Sequence, residues 1–359
     1  MFKKAIWCLI FCAHLTPSQL YAEPLIRVGA ILPLSGPAAN AGDTCRKGIE
    51  MHLNELGKTA RIAVFFEDDQ MVPKNTVLAY RKLKDVNNIN IAFSVSANPG
   101  NALLPLTEQD GVVMISASSD NRLVERSQNG FLYWLSAKVT AQLWIDEALK
   151  RGIHSIHRLT DNQEGSLLSS RYFDQLNNGR IKIISDHTLE PSDSDMKSVL
   201  LKIKKSDGGD ALLSNVGFSR HAIVAKQARA IGIKLPYIAN TVIENKNELK
   251  NALGALEGAW YPQISDGNDS FNQKFEKLYP GTSLYAAAQC YDLVGILETA
   301  SQHVSEGKTI KEGLKSILTF EGASGIMHVL EERIFSFDTV IKQVAGDKFI
   351  RIPGNLDTP

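Results

Sequence analysis

Residues 91–121 read IAFSVSANPGNALLPLTEQDGVVMISASSDN and contain one pattern twice. An apolar run that begins at Ile91 ends in a loop of small polar residues, 94–100, and a helical segment follows. A second apolar run, 112–115, ends in another such loop, 116–121. Apolar strand, polar loop and helix in alternation predict an α/β fold built on an open parallel sheet.

The two polar loops predict a ligand site. In open parallel sheets, ligands bind outside the carboxyl ends of the strands, where helix N-termini present free N–H groups. Ser96 and Asn98 in the first loop and Ser118 in the second are therefore candidate ligand-binding residues. For any single serine the alternative is an ordinary helix cap or turn.

Length and composition limit the class of protein. A chain of 359 residues exceeds what one hydrophobic core usually organises, so two domains are expected. The hydrophobic fraction of 44% and the charged fraction of 22% are typical of a globular protein in water. The formal net charge is +0 and no basic patch stands out, which argues against nucleic acid as a partner.

The N-terminus is typical of a secretory leader. Lys3 and Lys4 precede an apolar stretch, residues 5–15, and residues 20–22 form a plausible cleavage site. The apolar stretch is shorter than the roughly 20 residues that span a bilayer as a helix. We therefore expect residues 1–22 to be a signal peptide and the mature chain to be periplasmic.

The alternation of strands and helices restarts after Ser136 and continues through the second half of the chain. Pro262 lies in one of these predicted strands and indicates either a sheet edge or a crossing between lobes. A long helix is predicted at 284–303. The predicted strands are 155–159, 181–184, 211–216, 236–239 and 259–264, with short hairpin-like strands at 333–337 and 340–344.

Patterns of catalysis and metal binding are weak in this sequence. His154 and His157 are three residues apart, and on the strand predicted at 155–159 such positions face opposite sides, so they do not chelate a metal. We find no nucleophile elbow, phosphate-binding loop or HExxH motif. The sequence therefore predicts a protein that is not an enzyme and has no metal or cofactor.

Five motifs, in order along the chain, resemble the type I periplasmic binding proteins, and among them the leucine/isoleucine/valine-binding group that serves ABC importers. Each motif is weak alone, but five in the right order are specific. They are LPLSGPAANAGDTCRKGIE (32–50), FFEDDQMVPKNTV (65–77), DGVVMISASSDNRLVE (110–125), KQARAIGIKLP (226–236) and AAAQCYDLVGIL (286–297).

The resemblance implies two doubly wound parallel-sheet lobes, joined by a hinge of three crossings, that close on a small-molecule ligand. It also implies docking on an ABC permease in the inner membrane, by a protein that we expect to be a monomer. A sensor of the same fold that reports to a membrane receptor is the alternative. The predicted division assigns residues 23–137 and 263–326 to lobe one and residues 138–262 and 327–359 to lobe two.

The resemblance also places the family's ligand groups on this chain. Its carboxylate-binding serine falls at Ala97, its carboxylate-binding threonine at Asp120 and its ammonium-binding glutamate at Thr241, so all three are changed. A family tyrosine falls near Glu164 and another aromatic residue near Phe218. We therefore expect a ligand other than a standard branched-chain amino acid, chosen from amides, ureas, polyols, amines and aromatic compounds.

Three of these residues have both a functional and a structural interpretation. Asp120 could accept a cationic or amide-bearing ligand, or cap the turn at 122–126. Glu164 could be a ligand group of lobe two or a solvated loop residue, and Phe218 could stack on a ligand or belong to the core. Cys45 and Cys290, on predicted helices of lobe one, are expected to lie close, with a disulfide as one outcome.

Overall fold

The computed structural model describes residues 25–57, 60–330 and 333–353, and the predicted signal peptide, residues 1–22, lies outside them. The described chain forms a five-stranded sheet, a seven-stranded sheet and a small three-stranded sheet, with helices packed around them. This confirms the predicted α/β class. Within the described residues, every helix is too short or too polar to cross a membrane.

The first lobe is built on the five-stranded parallel sheet. Its strands lie in the order second, first, third, fourth and fifth, so the two strands of the opening pattern are neighbours. Their polar loops therefore meet at one edge of the sheet. The strands are β1 (Ile26–Leu32), β2 (Ile62–Asp68), β3 (Ile91–Val95), β4 (Val113–Ala117) and β5 (Gly130–Leu132), and the helices are α1 (Ala39–Leu56), α2 (Pro73–Asn87), α3 (Ala97–Asp110) and α4 (Arg122–Arg126).

Local sequence explains the ends of these helices. Pro73 occupies the first position of α2, where its fixed φ suits a helix and its missing N–H costs nothing. Gly111 ends α3 with a left-handed φ of 64°, which glycine adopts without strain. Ser96 precedes α3 with a φ of 79°, an uncommon conformation for a residue with a side chain.

The chain then builds most of the seven-stranded sheet. Its strands follow β5 in a second series of strand–helix units, as the restart after Ser136 predicts. The elements are α5 (Ala137–Lys150), β6 (Ser155–Asp161), α6 (Glu164–Asn177), β7 (Lys182–Leu189), α7 (Lys197–Lys205), β8 (Ala211–Asn215), α8 (His221–Ala230), β9 (Tyr237–Ile238), α9 (Lys246–Ala252) and β10 (Trp260–Ile264).

The chain next returns to the first lobe. Here α10 (Asp269–Leu278), α11 (Ala287–Ser305) and α12 (Ile310–Lys315) precede the three-stranded sheet of β11 (Thr319–Gly322), β12 (Gly325–Val329) and β13 (Phe335–Phe337). Helix α11 packs against α1, and a Cys45–Cys290 disulfide joins the two helices, with 5.1 Å between the Cα atoms. The expected proximity of the cysteines is confirmed. A bridge that closes so long a loop contributes roughly 3–5 kcal/mol.

Two final strands, β14 (Thr339–Ala345) and β15 (Lys348–Arg351), complete the second sheet, whose order is β15-β14-β10-β9-β8-β6-β7. The predicted boundary at 326/327 falls inside β12, and Phe335 and Phe337 of β13 pack in the first-lobe core. The chain therefore changes lobe after β13. The boundary at 262/263 falls inside β10, which pairs with β14 in the second sheet.

Pro262 does not mark an edge strand, because β10 lies between β14 and β9. The proline is opposite Ile341 of β14. On its other side β9 is only two residues long, and within β10 it pairs only with Trp260. Pro262 therefore has no neighbour on that side that requires its missing N–H.

Candidate functional site

A cavity of about 130 Å³ lies where the carboxyl ends of the strands of both sheets meet. A cavity needs roughly 10–15 Å³ to hold one water, so this cavity has room for roughly ten water-sized groups. That is enough for a small organic molecule. The walls come from the ends of β3 and β4, the first turn of α6, the loops after β8 and β9, and the start of α11. Both lobes therefore contribute to the site.

The structure brings six of the eight predicted site residues to this cavity. The first-lobe members lie at the start of α3 and after β4, and the second-lobe members lie after β8 and β9. They are Ser96, Ala97, Asn98, Ser118, Phe218 and Thr241. Asp120 and Glu164 are not among the described residues that line it.

Asp120 is fully buried, and protein groups occupy its carboxylate. Arg122 donates from Nε to Oδ1 and from Nη2 to Oδ2, both at 2.8 Å, and Asn101 Nδ2 donates to Oδ2 at 2.9 Å. Burial alone would raise the pKa of Asp120, but the hydrogen bonds from Arg122 and Asn101 hold this pKa below its ordinary value. The backbone N–H of Arg122 also donates to Oδ1 at 3.1 Å. The N-cap of α4 is Asn121 and not Asp120, and no side-chain cap bond is present there. The Asp120 carboxylate instead binds the backbone N–H and the guanidinium of Arg122, so protein groups hold it as a partner within the first lobe.

Glu164 is the first residue of α6 and belongs to the same ion cluster. Its Oε1 contacts Arg122 Nη2, and Arg171 Nη2 lies 3.6 Å from the same oxygen. Glu164 therefore faces Arg122 of the opposite lobe instead of the cavity. The two acidic residues predicted as ligand groups are linked to each other through one guanidinium.

Aromatic rings form the apolar part of the cavity wall. The ring centroids of Trp134 and Tyr285 are 5.7 Å apart, and those of Phe218 and Tyr285 are 6.4 Å apart and nearly perpendicular. Tyr285 is buried, which raises the pKa of its hydroxyl, and Thr241 lines the same cavity. The cluster offers flat apolar surface on which a ring or an alkyl group packs well.

Neutral amides form much of the polar part. Asn240 Nδ2 donates to Asn215 Oδ1 at 2.9 Å, and Asn215 Nδ2 donates to the Ser166 carbonyl at 2.8 Å. Behind them, His221 Nε2 lies 3.0 Å from Asn240 Oδ1. Burial lowers the pKa of His221 to about 4, so the imidazole is neutral at pH 7. The network is thus polar and carries no formal charge.

The absence of charge extends to the whole lining. No Asp, Glu, Lys or Arg occurs among the described residues that line the cavity. The first turn of α3 contains no acidic residue, and the first N–H groups of a helix have no partner within it. The end of the cavity at the start of α3 can hold a neutral hydrogen-bond acceptor or a carboxylate. The aromatic cluster can hold an apolar group.

Several lining residues were not identified from the sequence. Asn215 ends β8 and Asn240 follows β9, so the strand-end rule that gave Ser96 would also have found them. Trp134 both lines the cavity and packs against the core. Tyr285 enters from the loop before α11, where no local pattern indicates a ligand site.

The two lobes touch each other around the cavity. Asn121 Nδ2 of the first lobe donates to the Tyr172 hydroxyl of α6 at 2.8 Å. On the other side, Ser219 Oγ donates to the Pro37 carbonyl at 3.2 Å. The described chain is therefore in a closed arrangement, with the cavity between the lobes.

Comparison with known proteins agrees with this geometry. A curated relative, Leu/Ile/Val-binding protein homolog 3 of Brucella melitensis, is 23% identical over 242 residues, and the match spans only 64% of each chain. The crystal structure of a leucine-binding protein of Thermotoga maritima has a TM-score of 0.84 at 18% identity, over 91% of this chain and 98% of that one. A solute-binding protein of an ABC transporter from Rhodopseudomonas palustris, in complex with 3,4-dihydroxybenzoic acid, has a TM-score of 0.80 at 20% identity, over 91% and 96%.

The family is shown by the sequence itself. The profile of the family described as periplasmic binding protein matches residues 25–333, which is most of the chain. The structural neighbours share its two-lobed architecture at low identity, as expected when a fold is kept while the sequence changes. The chain therefore belongs to the periplasmic binding protein family, in its type I architecture, as its sequence motifs predicted.

Proposed function

We propose that this protein is the periplasmic solute-binding component of an ABC importer and that its ligand is a small aromatic carboxylate, not a branched-chain amino acid. The observation that carries this proposal is the cavity lining, which combines aromatic rings with neutral polar groups and has no charged side chain among the described residues. The protein binds its ligand without chemical conversion.

The ammonium group of an amino acid is the part that fits this cavity least. A buried cation costs several kcal/mol unless an anion or several well-placed acceptors compensate. Thr241 occupies the position where the resemblance places a glutamate, and its hydroxyl has no charge with which to pair an ammonium group. Amides and hydroxyls remain as acceptors, and they recover less of this cost than a carboxylate does.

A carboxylate on an aromatic ring fits both ends of the cavity. The hydroxyls of Ser96 and Ser118 and the backbone N–H groups of Ala97 and Asn98 suit an anion. These two N–H groups are the ones that the first turn of α3 offers, because Pro99 has none and Gly100 donates to the Ser96 carbonyl. Trp134, Phe218 and Tyr285 supply the surface for the ring. The Rhodopseudomonas palustris protein, whose structure contains 3,4-dihydroxybenzoic acid, supports an aromatic acid as a ligand of this architecture.

Transport is proposed over sensing because that same neighbour is described as part of an ABC transporter. The partner is then a membrane permease that docks the closed form. The predicted signal peptide, residues 1–22, supports a periplasmic location. Closure around the ligand would shift an equilibrium between open and closed lobes.

Thermal unfolding of the mature protein with 4-hydroxybenzoate, benzamide or leucine tests the ligand class. A ligand at 100 times its dissociation constant adds about 2.7 kcal/mol to the free energy of unfolding. We expect 4-hydroxybenzoate to stabilise the protein most, benzamide less and leucine least. Strong stabilisation by leucine without an effect of 4-hydroxybenzoate would show that the proposed ligand class is wrong.

A further inference from the structure

Two segments on opposite lobes are joined by contacts that lie outside the ligand cavity. One is the loop that follows β4 and leads into α4, and the other is the first half of α6. Arg122 in the first segment contacts Glu164 in the second through Nη2 and Oε1. Asn121 in the first segment donates to the hydroxyl of Tyr172 in the second at 2.8 Å.

The arginine is held on its own lobe before it meets the other. Both of its hydrogen bonds to the fully buried Asp120 are 2.8 Å long, and Asn101 fixes the same carboxylate from α3. Bidentate pairing of this kind orients a guanidinium strongly. Separation of the lobes would therefore leave the Arg122–Asp120 pair intact and break only the contact to Glu164.

The backbone is shaped for close approach at the same place. A Cβ atom on Gly165 would lie 2.7 Å from Ser119 Oγ of the opposite lobe. Glycine therefore permits this distance, and any larger residue would require Ser119 to move. The side chains of Arg122, Glu164 and Tyr172 are not among those that line the cavity.

We propose that Arg122, Glu164 and Tyr172 form an interlobe latch that raises ligand affinity without touching the ligand. The latch stabilises the closed arrangement, which is the state that holds the ligand. The apparent affinity is proportional to the fraction of protein in that state, so a latch that increases the fraction increases the affinity. It thus sets how tightly ligands bind and leaves their order of preference to the cavity. The effect on affinity rests on the proposed function, whereas the latch contacts themselves join protein groups only.

Glu164→Gln tests the latch because glutamine keeps the shape of the side chain and removes its charge. We expect the dissociation constant for 4-hydroxybenzoate, measured by isothermal titration calorimetry, to rise about threefold to tenfold, mainly through faster dissociation. Added salt should weaken binding to the unaltered protein more than to the variant, because the ion pair is partly exposed. Tyr172→Phe, which removes only the hydroxyl, should give a smaller loss in the same direction.

Asp174→Asn is the matched control. It makes the same change on the same helix, where Asp174 pairs with Arg158 of its own lobe at 2.7 Å. Its dissociation constant and salt dependence should equal those of the unaltered protein. Equal losses in Asp174→Asn and Glu164→Gln would overturn the latch, since the effect would then belong to the helix.

Small-angle scattering of ligand-free protein gives a test that does not depend on the ligand. At low salt, Glu164→Gln should have a larger radius of gyration than the unaltered protein, because more of it is open. The latch would be overturned if the variant and the unaltered protein had identical radii of gyration at low salt as well as at high salt. If 4-hydroxybenzoate binds to neither protein, the proposed ligand class fails, and the scattering comparison still decides whether the latch exists.

Discussion

The ligand cavity and a hinge cluster, formed by Glu244, Asp266 and Lys342 beside the crossing that follows β10, differ in their use of charge. A wall that contains Trp134 and Tyr285 separates them. The described residues that line the cavity carry no charge. Behind the wall, Lys342 Nζ donates to Glu244 Oε1 at 2.6 Å and to Asp266 Oδ1 at 2.5 Å. The cavity lining excludes charged side chains, whereas this cluster buries Lys342 and Glu244 and pairs the lysine with Asp266, whose side chain is 43% exposed.

Complete pairing makes the hinge cluster tolerable. The Lys342 side chain is 2% exposed, and Glu244 also accepts hydrogen bonds from the Tyr261 hydroxyl at 3.1 Å and from Gln263 Nε2 at 3.0 Å. Burial alone would lower the pKa of Lys342, but the neighbouring carboxylates raise it above its ordinary value. In this cluster, buried charged side chains are paired with other side chains of the protein, which are always present. The cavity, whose partner comes and goes, uses neutral groups.

The largest expected effect comes from breaking the hinge cluster. Lys342→Met leaves Glu244 buried without its cation, which should lower the free energy of unfolding by about 3–5 kcal/mol. Urea denaturation measures this loss. The double variant Lys342→Met/Glu244→Gln should recover most of it, because no unpaired charge remains.

An exposed ion pair supplies the control for that experiment. Lys274 Nζ lies 2.6 Å from Glu55 Oε1, and the lysine side chain is 52% exposed. Lys274→Met should cost at most about 1 kcal/mol. Similar losses for Lys274→Met and Lys342→Met would contradict the importance assigned to burial.

An intermediate effect is expected when charge is placed in the cavity. Thr241→Glu introduces a carboxylate at the position that the family resemblance gives to an ammonium-binding glutamate. Leucine affinity should rise about tenfold or more, and 4-hydroxybenzoate affinity should fall by a similar factor, or about 1.4 kcal/mol for each. Calorimetric titration with both ligands measures the exchange.

Thr241→Gln introduces a side chain of nearly the same size as glutamate but without its charge. It should weaken both ligands without exchanging them. The glutamate and glutamine variants would bind both ligands alike if the shape of the side chain, and not its charge, determined the preference between leucine and 4-hydroxybenzoate. That outcome would remove the contrast between a neutral cavity and a charged hinge.

The smallest expected effect concerns a buried pair next to the cavity, where two pKa shifts oppose each other. Burial lowers the pKa of His221 from 6.5 to about 4, and burial raises the pKa of Glu248 from 4.5 to about 7. Between pH 4.5 and 6.5 the unfolded chain carries a proton on the histidine, and the folded chain carries one on the glutamate. Their contributions to the pH dependence of stability therefore cancel in this window.

Glu248→Gln removes one side of this balance. The folded variant binds no proton at either position above pH 4.5, while unfolded His221 still binds one below pH 6.5. The free energy of unfolding of the variant, relative to that of the unaltered protein, should thus rise by about 2 kcal/mol between pH 4.5 and 6.5. Thermal unfolding at several pH values measures this difference. A constant difference across the window would contradict the opposing shifts.

Local patterns in the sequence were sufficient for the α/β class and for the strand ends that carry ligand groups. Strand and helix periodicity is a short-range property, and polar residues at the ends of parallel strands meet at one edge for geometric reasons. Ser96 and Ser118 were found in this way, and both line the cavity. The same rule extends to Asn215 and Asn240, which follow their strands in the second lobe.

Only the tertiary structure decided what the acidic residues do. Asp120 and Glu164 are polar loop residues like the others, and nothing local distinguishes a ligand group from half of an ion pair. The guanidinium of Arg122 lies between them, and it reaches Glu164 only because the two lobes meet there. Tyr285 likewise joins the cavity from a distant helix start. Pairing and enclosure depend on contacts between distant parts of the chain, and the periodicity of a sequence does not contain them.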